Sequence, residues 1–327
     1  MRTSHGILAA VAASVMVLSA CSSSTPSDST SPTGGATTAA DCVPVAGDQL
    51  VVLADDMHLQ TVDNIIPAIN AASAKDPAII AALDAVSAAL TTATLVDLNK
   101  ATDVDFNSSA DAAAAFVSSE AVSAPKQGTG SLTVGAANFS ENITVAEIYA
   151  AVLREAGFTV DVRTIGNRET YMPALIGGEV DIVPEYVGTV TEFLNKQVNG
   201  ADAAPLASGD LDATVANLAT LATQKGLAFG IPSSAQDQNA FAVTQAFADA
   251  YGLATLSDLA KACGPISLGG PAECPDRPFC QPGLESTYGL KFGEFRSLDA
   301  GGPLTKAALR KGDVVLGLVF SSDGTLG

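Results

Sequence analysis

The chain has 327 residues, enough for two compact units or for one domain built as two lobes. Hydrophobic residues make up 47 % of it, so a sizeable core is available. The formal net charge of −19, from 16 Lys+Arg against 35 Asp+Glu, gives a surface that repels phosphate backbones and argues against nucleic-acid binding.

The first segment, MRTSHGILAAVAASVMVLSAC, has a basic start at Arg2 and an apolar run from Ile7 to Leu18. That run is too short to span a bilayer permanently and matches a secretory signal over 1–21. It closes on LSAC, which resembles the lipobox of bacterial lipoproteins and implies that Cys21 becomes a lipid-modified N-terminus. The Ser/Thr/Pro-rich stretch over 22–42 then reads as a flexible tether. No later segment has the roughly 18 continuous apolar residues of a membrane helix.

From 43 to 120 the pattern predicts one strand and several helices. LVVLA (50–54) is a short apolar run, followed by a polar turn and an expected helix reaching Asn70. DPAIIAALDAVSAAL carries Asp76 as N-cap, Pro77 at the first helical position and an apolar stripe of Ile79, Leu83, Val86 and Leu90. TTATLVDLNK and SSADAAAAFVSSE read as further helices with Thr and Ser caps. SAPKQGTGS (123–131) is a flexible joint.

From 131 strands and helices alternate, which predicts parallel sheets in α/β layers. LTVGAAN, TVDVRTI, VDIVPEY, LAFGIPS, PISLGG and DVVLGLVF are the strand candidates. The intervening helices include ENITVAEIYAAVLREAG, TYMPALIGG and a stretch around AVTQAFADAYG. Ligands of such sheets bind in the loops at strand carboxyl ends, here NFSEN, PEYVGT, IPSSAQDQN and FSSDG.

Besides Cys21 there are four cysteines, Cys42, Cys263, Cys274 and Cys280. In an exported chain they imply two disulfides with three alternative pairings. A zinc site in CGPISLGGPAECPDRPFC is disfavoured because it offers neither histidine nor a CxxC pair.

Four stretches in combination, LTVGAANFSENITVAEIYAAVLREAGFTVDV, ALIGGEVDIVPEYVGT, AQDQNAFAVTQAFADAYGLATLSDLAK and GDVVLGLVFSSDG, resemble substrate-binding proteins of osmoprotectant ABC importers, the glycine betaine, choline and carnitine type. The resemblance implies a two-lobed periplasmic-binding-protein-like α/β fold of type II that closes over its ligand. In that family the LVVLADD-like stretch and its following helices come at the end of the chain, whereas here they come first. The order therefore looks circularly permuted, with SAPKQGTGS joining the family's usual ends. Lobe I is expected over 43–187 and lobe II over 188–327, with one continuous crossing near Tyr186–Thr189 and a Cys42 disulfide restoring the other tether.

A quaternary ammonium has diffuse charge and no hydrogen-bond donor, so it suits aromatic faces, while a carboxylate or hydroxyl needs separate polar partners. The matching motif carries Tyr186 over as the aromatic and Thr189 as the polar partner. Asn138, Phe139, Ser140, Glu141 and Asn142 belong to the NFSEN loop, Gln238, Asn239 and Phe241 to DQNAF, Tyr288 to ESTYGL, and Phe320 and Asp323 to the last turn. Tyr149 and Phe247 fall on helix faces and are assigned to packing; Tyr171 stands between surface and site. The chain departs from its relatives in lacking Trp, in having Phe241 and Phe320 where relatives carry Tyr, and in having Asn142 where they often show Gln.

Nothing supplies an enzyme's chemistry. His58 would have to act alone once the signal is removed, and neither GxSxG nor a phosphate-cradling Gly-rich loop occurs. No cofactor or metal is expected; DVDFNSSAD (103–111) lacks the Gly and Glu of a calcium loop, with Ser108 and Ala114 in their places. The expectation is a monomeric, lipid-anchored receptor on the extracytoplasmic face, handing a small solute to ABC permease subunits. The alternatives are a lipoprotein sensor or envelope module on the same fold, and a receptor for a more apolar ligand.

Overall fold

The structure, a computed structural model, describes residues 42–326; the expected signal, Cys21 and the tether up to residue 41 lie outside the described residues. The first part runs through β1 (Leu50–Leu53), β2 (Ile65–Asn70), α1 (Pro77–Ala89), α2 (Thr92–Asp103) and α3 (Ser109–Ser119). Next come β3 (Ser131–Ala137), α4 (Ser140–Ala156), β4 (Thr159–Gly166), α5 (Arg168–Gly177) and β5 (Ile182–Tyr186). They are followed by α6 (Val187–Asn199), α7 (Leu211–Lys225), β6 (Leu227–Phe229), β7 (Asn239–Thr244), α8 (Gln245–Tyr251) and α9 (Leu256–Ala262). The last are β8 (Ile266–Gly270), a one-turn α10 (Gln281–Gly283), β9 (Phe292–Ser297), α11 (Pro303–Lys311) and β10 (Leu316–Phe320).

Two sheets of five strands each form the lobes. The first has the order β4-β3-β5-β2-β6, with β3 parallel to β4 and β5, and β2 antiparallel to β5 and β6. The second has β1-β7-β10-β8-β9, with β8 parallel to β9 and β10, and β7 antiparallel to β10 and β1. Both follow one plan: three parallel strands, an antiparallel insert, and a strand beyond it. In each sheet the insert arrives directly from the other lobe, β2 after β1 and β7 after β6. This is the two-lobed type II architecture.

The expected lobe boundary at 187/188 does not match this division. Helices α6 and α7 and strand β6 stay with the first sheet, because β6 pairs with β2. Strand β1 belongs to the second sheet through β7. The chain therefore crosses between lobes before β2 and before β7, not at Tyr186–Thr189. The two crossings run side by side: Asn64 bridges Gln236, and the Asp237 N–H donates to the Asp63 carbonyl at 3.1 Å. The segment after β10 joins them, with the Ser321 N–H donating to the Gln238 carbonyl at 2.9 Å. The chain then runs on against α2 at Gly324.

Local chemistry explains most elements. Asp76 caps α1 by accepting from the Ala78 N–H, and the stripe Ile79, Leu83, Val86 and Leu90 is buried as expected. Thr91 and Thr94 form a capping box on α2, and Ser108 caps α3. Residues 65–70, expected to be helical, are instead β2, buried along its whole length between β5 and β6. A short apolar run buried on both faces carries no periodicity that separates strand from helix. Pro67 faces Pro184 across the ladder, so two missing N–H groups fall on one rung. Residues 242–244, placed within a helix by the sequence, complete β7. The disulfides pair Cys42 with Cys263 and Cys274 with Cys280. Because residues 42–53 already lie in the second lobe, the Cys42 bond pins the segment before β1 within that lobe and is no interlobe tether. Among the described residues no single helix is long and apolar enough to cross a membrane.

Gly188, in the PEYVGT element, sits where the first crossing passes over α6; a Cβ there would collide with the Thr61 hydroxyl and the Val62 carbonyl. Gly188→Ala is expected to cost about 1–3 kcal/mol, as overpacking does. Thermal unfolding should show a Tm lower by about 2–10 °C.

Candidate functional site

Three parallel strands of the first sheet end at the interlobe cleft, and each feeds a helix there: β3 into α4, β4 into α5, β5 into α6. The second lobe faces them with the ends of β10 and β8 and the start of β7. Between the lobes lies a cleft of about 340 Å³.

Its floor is a row of aromatic rings. Phe139, at the N-cap of α4, lies between Tyr186, the last residue of β5, and Phe320, the last of β10. Ring centroids are 6.2 Å apart for Phe139–Tyr186 and 5.6 Å for Phe139–Phe320, with planes inclined by only 28° and 29°. The row thus bridges both lobes and presents stacked π faces. Phe193 and Phe279 add aromatic surface, the latter from the loop closed by Cys274–Cys280.

Acidic groups lie behind and beside the row. The Tyr186 hydroxyl donates to Glu141 Oε1 at 2.8 Å. Glu141 Oε2 accepts from Asn99 Nδ2 at 2.6 Å and lies 2.6 Å from Ser322 Oγ, which is also 2.8 Å from Asp237 Oδ1. The two acids thus compete for the single Ser322 hydroxyl proton. Burial raises Glu141, and burial plus the Glu141 charge hold Asp237 well above the usual carboxylate range. The Tyr186 phenol is pushed up by burial and by Glu141, so it stays a donor.

Asp63 Oδ1 accepts from the N–H groups of Gly188 and Thr189 at 2.8 and 3.0 Å, satisfying the start of α6 from across the crossing. Burial pushes this carboxyl up to about 7, against the two N–H groups and Arg168. Arg168 is itself committed: Nε and Nη2 fork onto Glu185 at 2.7–3.1 Å, and Nη2 also donates to Thr189 Oγ1 at 2.9 Å. Tyr171 donates to the same Glu185 at 2.9 Å. At the cleft mouth Arg277 meets Glu169 of the opposite lobe at 3.0 Å, and Lys196 Nζ donates to the Asp276 carbonyl at 3.1 Å.

Of the residues singled out by sequence, Asn138, Phe139, Tyr186, Thr189, Asn239 and Phe320 line the cleft. The others do not. Asn142 is fully buried and staples α4 to the sheet, accepting from the Ala137 N–H and donating to the Pro184 carbonyl. Ser140 opens α4, and its carbonyl accepts from the Thr144 hydroxyl. Gln238 holds the crossings together through Thr61 and Ser321. Phe241 lies two residues beyond Asn239 on the same strand face, about 7 Å deeper, in the second lobe's core. Tyr288 donates to Asp55 and fixes the loop after β1. Asp323 pairs with the buried Lys306. Tyr149 and Phe247 are core residues, as assigned, while Tyr171 belongs to the site wall.

Asp63, Arg168, Glu169, Asp237 and Phe279 were missed. The loops after β4 and β8 are strand carboxyl ends like NFSEN and PEYVGT, and that rule could have found Arg168, Glu169 and Phe279. Asp63 and Asp237 sit on the crossings, which only the three-dimensional order of the sheets reveals.

A cleft walled by aromatic faces and closed by two lobes on paired crossings is the construction of a solute-binding protein. The chain matches the model of the substrate binding domain of ABC-type glycine betaine transport systems over residues 29–119 and 130–327, and it belongs to that family. The glycine betaine-binding protein YehZ of Escherichia coli (strain K12) is 28 % identical over 221 residues, 65 % of this chain and 71 % of that one. A glycine-betaine-binding protein of Pseudomonas aeruginosa is 28 % identical over 206 residues, 60 % of this chain and 63 % of its own length. A crystal structure of a glycine betaine/carnitine/choline ABC transporter overlaps 61 % of this chain and 70 % of its own, with 20 % identity and a TM-score of 0.38.

The raised acids set a pH dependence. Between about pH 4 and 7 the folded protein keeps a proton on Asp63 that the unfolded chain has released, so folding stability falls as pH rises through that window. Glu141 and Asp237 act in the same direction. The unliganded protein should therefore show a higher Tm at pH 5 than at pH 8. Asp63→Asn should flatten that slope in parallel thermal scans.

Proposed function

We propose that the protein is an extracytoplasmic solute receptor that takes a quaternary-ammonium compound between its lobes and delivers it to the permease of an ABC importer. The observation that carries this reading is the Phe139-centred row of three rings, which offers aromatic faces where a methylated ammonium finds cation–π attraction without needing to donate a hydrogen bond. Family membership and the glycine betaine-binding relatives support the ligand class. The protein acts as a carrier and not as an enzyme, exported by its first segment, anchored through lipid on Cys21, and working as a monomer on the outer face of the membrane.

The same reading includes a circular permutation. The internal symmetry supports it: in the first lobe the chain visits β3, β4, β5 and β6 before crossing, whereas the matching strand of the second lobe, β1, comes before β8, β9 and β10 instead of after them. The family match is interrupted over 120–129, where SAPKQGTGS would join the usual ends.

Calorimetric titration of the purified protein with glycine betaine, choline, carnitine and proline tests the function. Micromolar-range binding of a quaternary ammonium, with proline silent, is expected. Tyr186→Ala should weaken it by about 5- to 30-fold, the worth of one desolvated cation–π face. Silence across the panel from a folded protein would remove the receptor reading.

A further inference from the structure

The mouth of the cleft is bordered in the second lobe by a ring of chain with little freedom. Between β8 and α10 the Cys274–Cys280 disulfide closes residues 274–280 into a loop, in which Pro275 and Pro278 fix two backbone dihedrals more. Both cysteines are buried in the core of that lobe. The Phe279 carbonyl ties the ring to the first crossing and to the start of β7, accepting from Gln60 Nε2 at 3.1 Å and from Asn239 Nδ2 at 3.0 Å. Gly283 leaves room for the Pro278 carbonyl, with which a Cβ there would collide.

From this ring two contacts cross the cleft, each to a helix of the first lobe. Arg277 Nη2 donates to both carboxylate oxygens of Glu169, in the first turn of α5, at 3.2 and 3.0 Å. The Asp276 carbonyl accepts from Lys196 Nζ, in the last turn of α6, at 3.1 Å. Arg277 also has a partner in its own lobe, Glu273, four residues earlier, with Nη2 at 3.3 Å from the carboxylate. Its Nε is buried and has no partner among the described residues, so these carboxylate contacts all fall on Nη2. The Glu169 side chain is 44 % and that of Arg277 28 % exposed. An ion pair that wet is weak when two long side chains must be ordered to make it. Here the ring and α5 hold the backbone at both ends, which removes part of that cost.

We infer that the 274–280 ring is a latch: Arg277, shared between Glu273 in its own lobe and Glu169 across the cleft, governs how long a ligand stays, and the Cys274–Cys280 bond presents it. The inference rests on the receptor reading and concerns retention, not the choice of ligand. Arg277 and Glu169 are positioning residues that act on release. With the lobes apart Arg277 keeps Glu273, so its charge is never left alone. With the lobes together, two carboxylates share one Nη2 and repel each other. Removing Glu273 therefore favours the closed pair, and removing Glu169 favours the open one.

Stopped-flow tyrosine fluorescence of the purified protein, with glycine betaine and choline as probes, reads association and dissociation separately. Arg277→Ala and Glu169→Gln should each raise the dissociation rate about two- to fivefold, the range of an exposed ion pair, with association unchanged. The double variant should release no faster than either single one, because both remove the same bond. Glu273→Gln should not speed release, whereas Cys274→Ser/Cys280→Ser should speed it as the latch variants do. Parent-like dissociation in both single variants, or an additive double variant, overturns the latch. Release from Glu273→Gln as fast as from Glu169→Gln overturns the sharing of Arg277, and parent-like release from a folded double-serine chain overturns the part given to the disulfide. If the double-serine chain fails to fold, the Arg277 and Glu169 cycle decides. All these outcomes leave the receptor reading intact, whereas no binding of either probe by the parent overturns that reading and the latch together.

Discussion

The carboxyl of Glu141 is the point on which the site hangs. It receives the Tyr186 hydroxyl from β5, the Asn99 amide from α2 and the Ser322 hydroxyl from the segment after β10. Through Ser322 it is joined to Asp237 on the second crossing. Four separate stretches of chain therefore meet at one buried acid, and the orientation of the Tyr186 ring follows from it. An acid in such a place is expensive unless nearly every lone pair is used, and here donors crowd both oxygens. The arrangement fixes the aromatic row to the hinge, so the geometry of the floor and the relation of the lobes are one constraint.

How much of this was legible beforehand depended on the range of the interaction. That Tyr186, Phe139 and Thr189 line the cleft was legible because they stand at strand-to-helix turns and because the motifs around them match a known pattern. The capped helices were readable for the same reason: Asp76 and Thr91 act on N–H groups two or three residues away. Strand β2 was misread because an apolar run buried on both faces has no periodicity to display. Asp63 and Asp237 were invisible because their partners stand 125 and 85 residues away, at Gly188 and Ser322. The residues wrongly favoured fail in a related way. Asn142, Gln238 and Asp323 are polar residues near the cleft, but each spends its polar contacts on holding neighbouring segments together.

The lobe boundary is the other instructive miss. Each sheet borrows its antiparallel insert from the opposite half, so sequence neighbours such as β1 and β2 lie in different lobes while β1 and β7 are neighbours in space. A linear partition cannot represent an exchange of that kind. Once the exchange is recognised, the two sheets are seen to follow one repeated plan.

The paired crossings also decide where the aromatic floor can be built. Two short segments bridged at Asn64 and Gln236, with the segment after β10 bonded alongside, form a narrow ribbon between the lobes. Tyr186 and Phe139 ride on one side of that ribbon and Phe320 on the other. The 5.6 Å stack of Phe139 on Phe320 joins the two sides, and the Ser322–Glu141 bond, two residues from each ring, holds it in place. The three-ring floor is therefore a composite surface, and neither lobe alone carries it.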